Sequence, residues 1–202
     1  MTAKQRKTRP QAVLPDLPST SYAVLGLLSG ERELSGYDLR KWASNSLHFF
    51  YWSPSLSHIY AELRRLEGLG LVSQRIEPRG ELRARRLYRI TPAGLDAVRT
   101  WVRTAPVDST VLKHSVALRV WLGHLIGLDS VHDLVAEHIA ATEMLITDIR
   151  RAHDTAPAET TNAYAQAILE WAQEMQAAEI DAFGRLQAKL DRTRPALPAK
   201  AS

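Results

Sequence analysis

Two short runs of strand-forming residues, Leu71 to Ile76 and Leu87 to Ile90, bracket the stretch Glu77-Pro78-Arg79-Gly80-Glu81-Leu82-Arg83-Ala84-Arg85-Arg86. Proline and glycine mark a turn there, so the two runs are expected to pair as a hairpin whose tip carries four arginines. Helical segments flank it on both sides.

Those helices have their own start and stop signals. Ser19 to Gly30 is apolar on most faces and ends at a glycine, which suits a buried helix. Ser35-Gly36-Tyr37-Asp38 has the spacing of a capping box and opens a second helix. Ser53-Pro54 reads as an N-cap followed by proline at the first helical position, opening a third that runs to Gly68 or Gly70. Thr91-Pro92 repeats that signal for a fourth, with Leu95, Val98, Trp101 and Val102 as its apolar side. Three helices, a strand, a basic hairpin, a second strand and a helix is the order of a winged helix-turn-helix.

In the third helix Leu56, Ile59, Leu63 and Leu66 form one apolar stripe at steps of three and four. The opposite face presents Ser57, His58, Ala61, Arg64 and Arg65, preceded by Ser55. Hydroxyl, imidazole and guanidinium groups are the ones that reach base edges and phosphates in a major groove. Ser57, His58 and Arg65 are the candidate base contacts, and Tyr60 and Arg64 on the flank are assigned to phosphates. Tyr37 and Ser55, together with Arg79, Arg83, Arg85 and Arg86 of the wing, complete the candidate DNA-binding set. An amphipathic helix with a merely solvated outer face remains the alternative for these residues.

Charge is distributed unevenly along the chain. Residues 1–104 hold 17 Lys/Arg against 9 Asp/Glu, and residues 105–202 hold 9 against 13. A basic N-terminal half is what a phosphate backbone selects. Residues 1–18, with four basic residues and three prolines, read as a disordered basic arm, and 191–202 as a disordered tail. With no cysteine, disulfide frameworks, thiolate catalysis and iron–sulfur clusters are excluded, and a reducing cytoplasm is the expected compartment. No apolar run approaches the length of a membrane span, and the N-terminus lacks the apolar centre of a signal peptide, so no membrane association is expected.

Several of these segments resemble the PadR family of bacterial transcriptional regulators. They are Tyr22-Ala23-Val24-Leu25-Gly26-Leu27-Leu28, Leu34-Ser35-Gly36-Tyr37-Asp38-Leu39, Trp52-Ser53-Pro54-Ser55-Leu56-Ser57-His58-Ile59-Tyr60-Ala61-Glu62-Leu63, Leu66-Glu67-Gly68-Leu69-Gly70-Leu71-Val72 and Tyr88-Arg89-Ile90-Thr91-Pro92-Ala93-Gly94. They cover nearly all of residues 19–104. The resemblance implies a homodimeric repressor or activator whose C-terminal helices dimerise and whose DNA affinity is often changed by a small molecule.

The C-terminal half reads as helices over Val111 to Ile126, Ser130 to His153 and Thr161 to Leu190. In the last, Tyr164, Ile168, Trp171, Met175, Ala178 and Ala182 recur at four-three-four-three-four spacing, the seam of a coiled-coil-like pair. Tyr164, Ile168, Trp171 and Met175 are therefore the candidate dimerisation residues, with an intrachain bundle as the alternative. Helices of this length resemble the PadR group with a larger C-terminal domain. Trp121 and His124, three apart on one helix face, are the candidate lining of a site for a small aromatic effector.

Nucleotide-binding glycine loops, Gly-x-Ser-x-Gly and His-Glu-x-x-His are all missing from the sequence. His132 and His138 are six apart and fall on different helix faces, and His114 and His124 are no better placed, so neither metal nor cofactor is expected. The expected fold is mainly α with a small β wing: a winged helix-turn-helix over 19–104 and a helical dimerisation and effector domain over 105–190. The expected function is sequence-specific binding of operator DNA as a homodimeric repressor that responds to a small aromatic ligand. Two other classes stay open on sequence alone: a winged-helix adaptor that binds protein instead of DNA, and an enzyme with its site in the helical half.

Overall fold

The structure, a computed structural model, describes residues 17–30, 32–79, 83–107, 109, 111–155 and 163–192, with the side chains of Arg79 and Arg83 left aside. The expected basic arm and tail lie almost wholly outside the described residues, as does the hairpin tip 80–82. The chain divides after residue 108 into two compact units.

The first unit is built on α1 (Ser19–Leu27), α2 (Gly36–Ser44), α3 (Leu56–Gly68), β1 (Val72–Arg79), β2 (Arg83–Ile90) and α4 (Pro92–Thr104). Its core joins Val24, Leu25 and Leu28 of the α1 region to Leu39 of α2, Ile59, Leu63 and Leu66 of α3, and Tyr88 of β2. Tyr22 of α1 stacks on Trp101 of α4, with centroids 4.7 Å apart and planes 9° from parallel, which holds the first and last helices together.

Local chemistry sets each boundary. Ser35 and Asp38 form a reciprocal capping box at the start of α2. At the end of α3, Leu71 N–H donates to the Leu66 carbonyl and Gly70 N–H to that of Glu67, with Gly70 at φ +69. This is a Schellman stop, in which only glycine adopts the left-handed conformation without strain. Thr91 Oγ1 accepts from Gly94 N–H and donates to the Gly70 carbonyl, so the cap of α4 also fastens that stop.

Three boundaries differ from expectation. Helix α1 ends at Leu27 with Leu28 as its C-cap, short of Gly30. The cap of α3 is Ser55, whose Oγ accepts from His58 N–H at 3.2 Å; Ser53 and the buried Pro54 stay outside the helix. The strands are longer than their apolar runs, pairing antiparallel from Val72 opposite Ile90 to Arg79 opposite Arg83. All four wing arginines thus lie in strands. Pro78 fits because β1 is paired on one side only, whereas β2 also exchanges two backbone hydrogen bonds with Leu34.

The second unit contains α5 (Ser115–Trp121), α6 (Leu128–Asp154) and α7 (Ala163–Arg192). The expected helix over Val111 to Ile126 is instead a short α5, capped by the His114 ring, followed by a 3-10 turn over Gly123–Leu125. Gly123 sits so close to α6 that a Cβ there would lie 2.7 Å from Val131 Cγ2, and Gly127, at φ +82, turns the chain into α6. Side-chain pairs His132–Asp191, His138–Glu179 and His153–Glu170 run in opposite order along α6 and α7, so the two helices are antiparallel. The face of α7 turned to α6 is Leu169, Ala172, Gln176, Glu179, Phe183, Leu186 and Leu190, at alternating steps of three and four, with Leu169, Ala172 and Phe183 buried. The stripe read from the sequence lies one residue round the helix, where Tyr164 is 86% and Met175 50% exposed.

Candidate nucleic-acid interface

The start of α2, one flank of α3 and the β2 strand of the wing enclose an open concavity of about 900 Å³. Tyr37 and Asp38 line it from α2, Tyr60 and Arg64 from α3, and Ala84, Arg85, Arg86 and Tyr88 from β2. Five residues singled out in the sequence therefore share one surface: Tyr37, Tyr60, Arg64, Arg85 and Arg86.

The approach of α2 to α3 depends on Gly36. A Cβ at that position would lie 2.6 Å from the Tyr60 ring, so the end of the phenol packs closely against bare backbone. Tyr60 is consequently part spacer and part surface, since it also lines the concavity.

Arg85 is committed to an internal partner. Its guanidinium pairs with the Asp38 carboxylate and donates to Ser35 Oγ at 3.1 Å, joining the wing to the capping box of α2. Asp38 also accepts from Ser35 N–H at 2.9 Å. Burial pushes the Asp38 carboxyl up; the hydrogen bonds from Ser35 and the charge and hydrogen bond of Arg85 outweigh it and hold the group below its usual range. The capping box was legible in the sequence, but its second use as the anchor of the wing was not, because Arg85 is 47 residues away.

On α3 the outward residues are Ser57, His58, Ala61 and Arg64, all exposed. Ser55 Oγ, already engaged in the cap, lies 3.3 Å from His58 Nδ1, and Trp52 packs beside the imidazole. Arg65, read from the sequence as part of this outer face, turns toward α1 instead. Its guanidinium donates to the buried Ser21 Oγ at 3.0 Å and pairs with Glu62 at 3.2 Å. Helix angle does not separate it from His58, which lies about 20° away on the same face; what differs is height along α3, two turns further on, beside α1 and a hydroxyl that would otherwise be buried unpaired.

The wing carries Arg86 exposed. Arg79 and Arg83 face each other across the hairpin in the backbone register. Arg75 is tied to Glu33 and Glu77. The hydrogen bond from Arg75 lowers the Glu33 carboxyl, against a smaller opposing effect of burial, and the charges of Arg75 and Arg89 add to it.

In the second unit Trp121 is 75% exposed at the end of α5 and His124 is exposed in the following 3-10 turn. Ile168 is half-buried and Trp171 47% exposed on α7. The unit also brings together three groups that spacing along the sequence did not relate. His114 Nε2 and His138 Nε2 each lie 2.8 Å from Glu179 Oε1. Burial raises the Glu179 carboxyl, and the hydrogen bonds of the two histidines outweigh it and hold it below its usual range. Comparing histidines within one helix could not find a cluster drawn from three.

The sequence and the fold have counterparts among known proteins. Residues 24–100 match the model of the Transcriptional regulator PadR-like family. The chain is 28% identical over 134 residues to the Negative transcriptional regulator PadR of Bacillus subtilis (strain 168), a span of 66% of this chain and 72% of that protein. It is similar in fold to the crystal structure of Bacillus subtilis PadR in complex with operator DNA, with a TM-score of 0.73 and 22% identity over 85% of this chain and 99% of the other. The same regulator in complex with p-coumaric acid gives a TM-score of 0.67 and 22% identity over 86% and 99%. Among the described residues, no helix is long and apolar enough to cross a membrane. The chain carries, over residues 24–100, a domain of the PadR-like family of transcriptional regulators.

Proposed function

We propose that the protein is a homodimeric repressor that binds operator DNA in the cytoplasm and responds to a small aromatic ligand. The carrying observation is the concavity in which Tyr37, Tyr60, Arg64 and Arg86 converge from α2, α3 and the wing inside a PadR-like domain. In this reading α3 enters a major groove with Ser57 and His58 toward base edges, while Tyr37, Arg64 and Arg86 hold phosphates. Arg65 and Arg85 position α3 and the wing from behind. Dimerisation uses the outer stripe Tyr164, Ile168, Trp171 and Met175 of α7, whose apolar side chains α6 does not cover. The aromatic ligand is assigned to Trp121 and His124, by analogy with the relative crystallised with p-coumaric acid. The regulator catalyses no reaction; it acts by occupancy of DNA.

The decisive experiment is a gel-shift with the DNA upstream of the protein's own gene. A retarded complex that competes poorly with random duplex, and that is weakened by Arg64→Ala and Arg86→Ala, supports the proposal. Failure to retard either that DNA or random duplex at low salt would turn the reading toward a protein-binding adaptor. Quenching of tryptophan fluorescence by p-coumaric acid, lost in Trp121→Phe, tests the ligand assignment.

A further inference from the structure

Three helices of the second unit converge on one carboxylate oxygen. His114 stands at the N-cap of α5, His138 lies in the middle of α6, and Glu179 belongs to α7. The two imidazole rings meet edge to face with centroids 5.0 Å apart, and Phe183 packs on both, at 5.1 Å and 4.7 Å. The side chains keep 16%, 18% and 28% of their surface, so the cluster is neither sealed nor freely solvated.

We propose that His114, His138 and Glu179 form a binding site for a divalent transition-metal ion of the zinc class. The three potential ligand atoms lie within 4.8 Å of one another. Two imidazoles with one carboxylate are a borderline-soft donor set, suited to zinc, cobalt or nickel and poor for magnesium or calcium, which take oxygen donors. With metal–ligand bonds of about 2.0–2.2 Å, tetrahedral donors sit roughly 3.3–3.5 Å apart. The present 2.8 Å contacts must therefore open by only about half an ångström, within the reach of side-chain rotation. Phe183 restrains both rings, as the surroundings of a metal site should. The partly exposed side leaves a coordination position for water. The other histidine–carboxylate pairs of this unit, His132 with Asp191 and His153 with Glu170 and Asp154, offer one imidazole each.

One contact gives the site a distinctive signature. His114 Nδ1 accepts from Ala117 N–H at 3.1 Å, which requires the ring proton on Nε2, where it points at Glu179. Coordination through Nε2 displaces that proton. A neutral ring then carries it on Nδ1, where it cannot accept from Ala117 N–H. Metal binding and this helix cap exclude one another, so the ion should loosen the first turn of α5 while joining His114 more firmly to α6 and α7.

The test is titration of the full-length, tag-free chain with Co²⁺, read by its visible absorption, followed by displacement with Zn²⁺. The expected result is one ion per chain, and weakening by about tenfold or more in His138→Gln and in Glu179→Gln, a scale that loss of an outer partner alone can reach. His132→Gln should bind as the parent does. Circular dichroism establishes that the variants are folded. Independently of any variant, hydrogen exchange at the Ala117 amide of the parent should accelerate on adding Zn²⁺. No cobalt band in the parent, binding indifferent to both substitutions in folded variants, or an Ala117 amide unaffected by saturating Zn²⁺ would each overturn the proposal.

Discussion

Arg85 on β2 and Asp38 on α2 form an ion pair at the concavity between the wing and α2, so the wing and the first turn of α2 share one carboxylate. Because Asp38 also closes the capping box with Ser35, displacing the wing disturbs the helix start, and uncapping the helix releases the wing.

Ser35→Ala should therefore cost more than an isolated cap. Loss of an N-cap hydroxyl alone costs about 1 kcal/mol, and here Arg85 loses an acceptor as well. Urea denaturation should show a loss of at least that size, and hydrogen exchange should accelerate both at Asp38 and along Arg83–Ile90. A loss confined to α2 would separate the two elements.

The same pair sets an acid limit. The folded Asp38 carboxyl titrates below its unfolded value, so its contribution to stability is fully present above the ordinary aspartate range, about 3.9. It is lost as pH falls through the lower folded value, because the unfolded chain takes up the proton first. Carbon-13 NMR titration of the carboxyl should give a midpoint below the free-aspartate value in the parent and near it in Arg85→Gln.

Two glycines make opposite predictions from one observation. At Gly94 a Cβ would lie 2.1 Å from the Leu71 carbonyl oxygen, a backbone atom held by Thr91 N–H. Gly94→Ala should destabilise by about 1–3 kcal/mol. Gly26, in α1, has open space around the same atom, and Gly26→Ala should be neutral or stabilising by up to about 1 kcal/mol. Thermal melts of the two variants against the parent decide both.

Salt dependence distinguishes free guanidinium groups from paired ones. Each phosphate neutralised contributes a slope of about −0.9 in log affinity against log salt. Arg64→Ala and Arg86→Ala should each reduce the slope magnitude by roughly that much on a generic duplex. Arg65→Ala and Arg75→Ala should change it far less, since Glu62 and Glu33 already balance those charges.

On α7, Ile168→Asp with Met175→Asp should shift sedimentation to the monomer while leaving α6–α7 pairing intact, because Leu169, Ala172 and Phe183 carry that contact. Each large apolar side chain buried by a partner contributes on the order of 1.5–3 kcal/mol, so two carboxylates in the stripe should abolish association. An unchanged sedimentation coefficient would assign the stripe another role.

The comparison of sequence with structure turns on where information is local. Caps at Ser35 and Thr91, the stop at Gly70 and the stripe Ile59, Leu63 and Leu66 are decided within one helical turn, and all were legible. The start of α3 was misread by two residues because Ser53 and Ser55 are equally good caps, and only the burial of Pro54 chooses between them. On α7 two stripes one residue apart both satisfy a three-four pattern. Aromatic content drew attention to the outer one, while the stripe that meets α6 includes Gln176 and Glu179 and reads as broken. Arg65, Arg85, His114 and His138 owe their positions to partners more than 40 residues distant. Such pairings have no period to detect.

The close contact of the Tyr60 phenol end with Gly36 couples residue choice at the two positions. A lineage that enlarges residue 36 must swing the Tyr60 phenol aside or shrink it, and shrinking residue 60 first opens the space without a clash. The two positions are therefore expected to vary as a pair. Redesign of sequence preference should be freest at Ser57, His58 and Ala61, whose side chains can change without moving the frame that presents them.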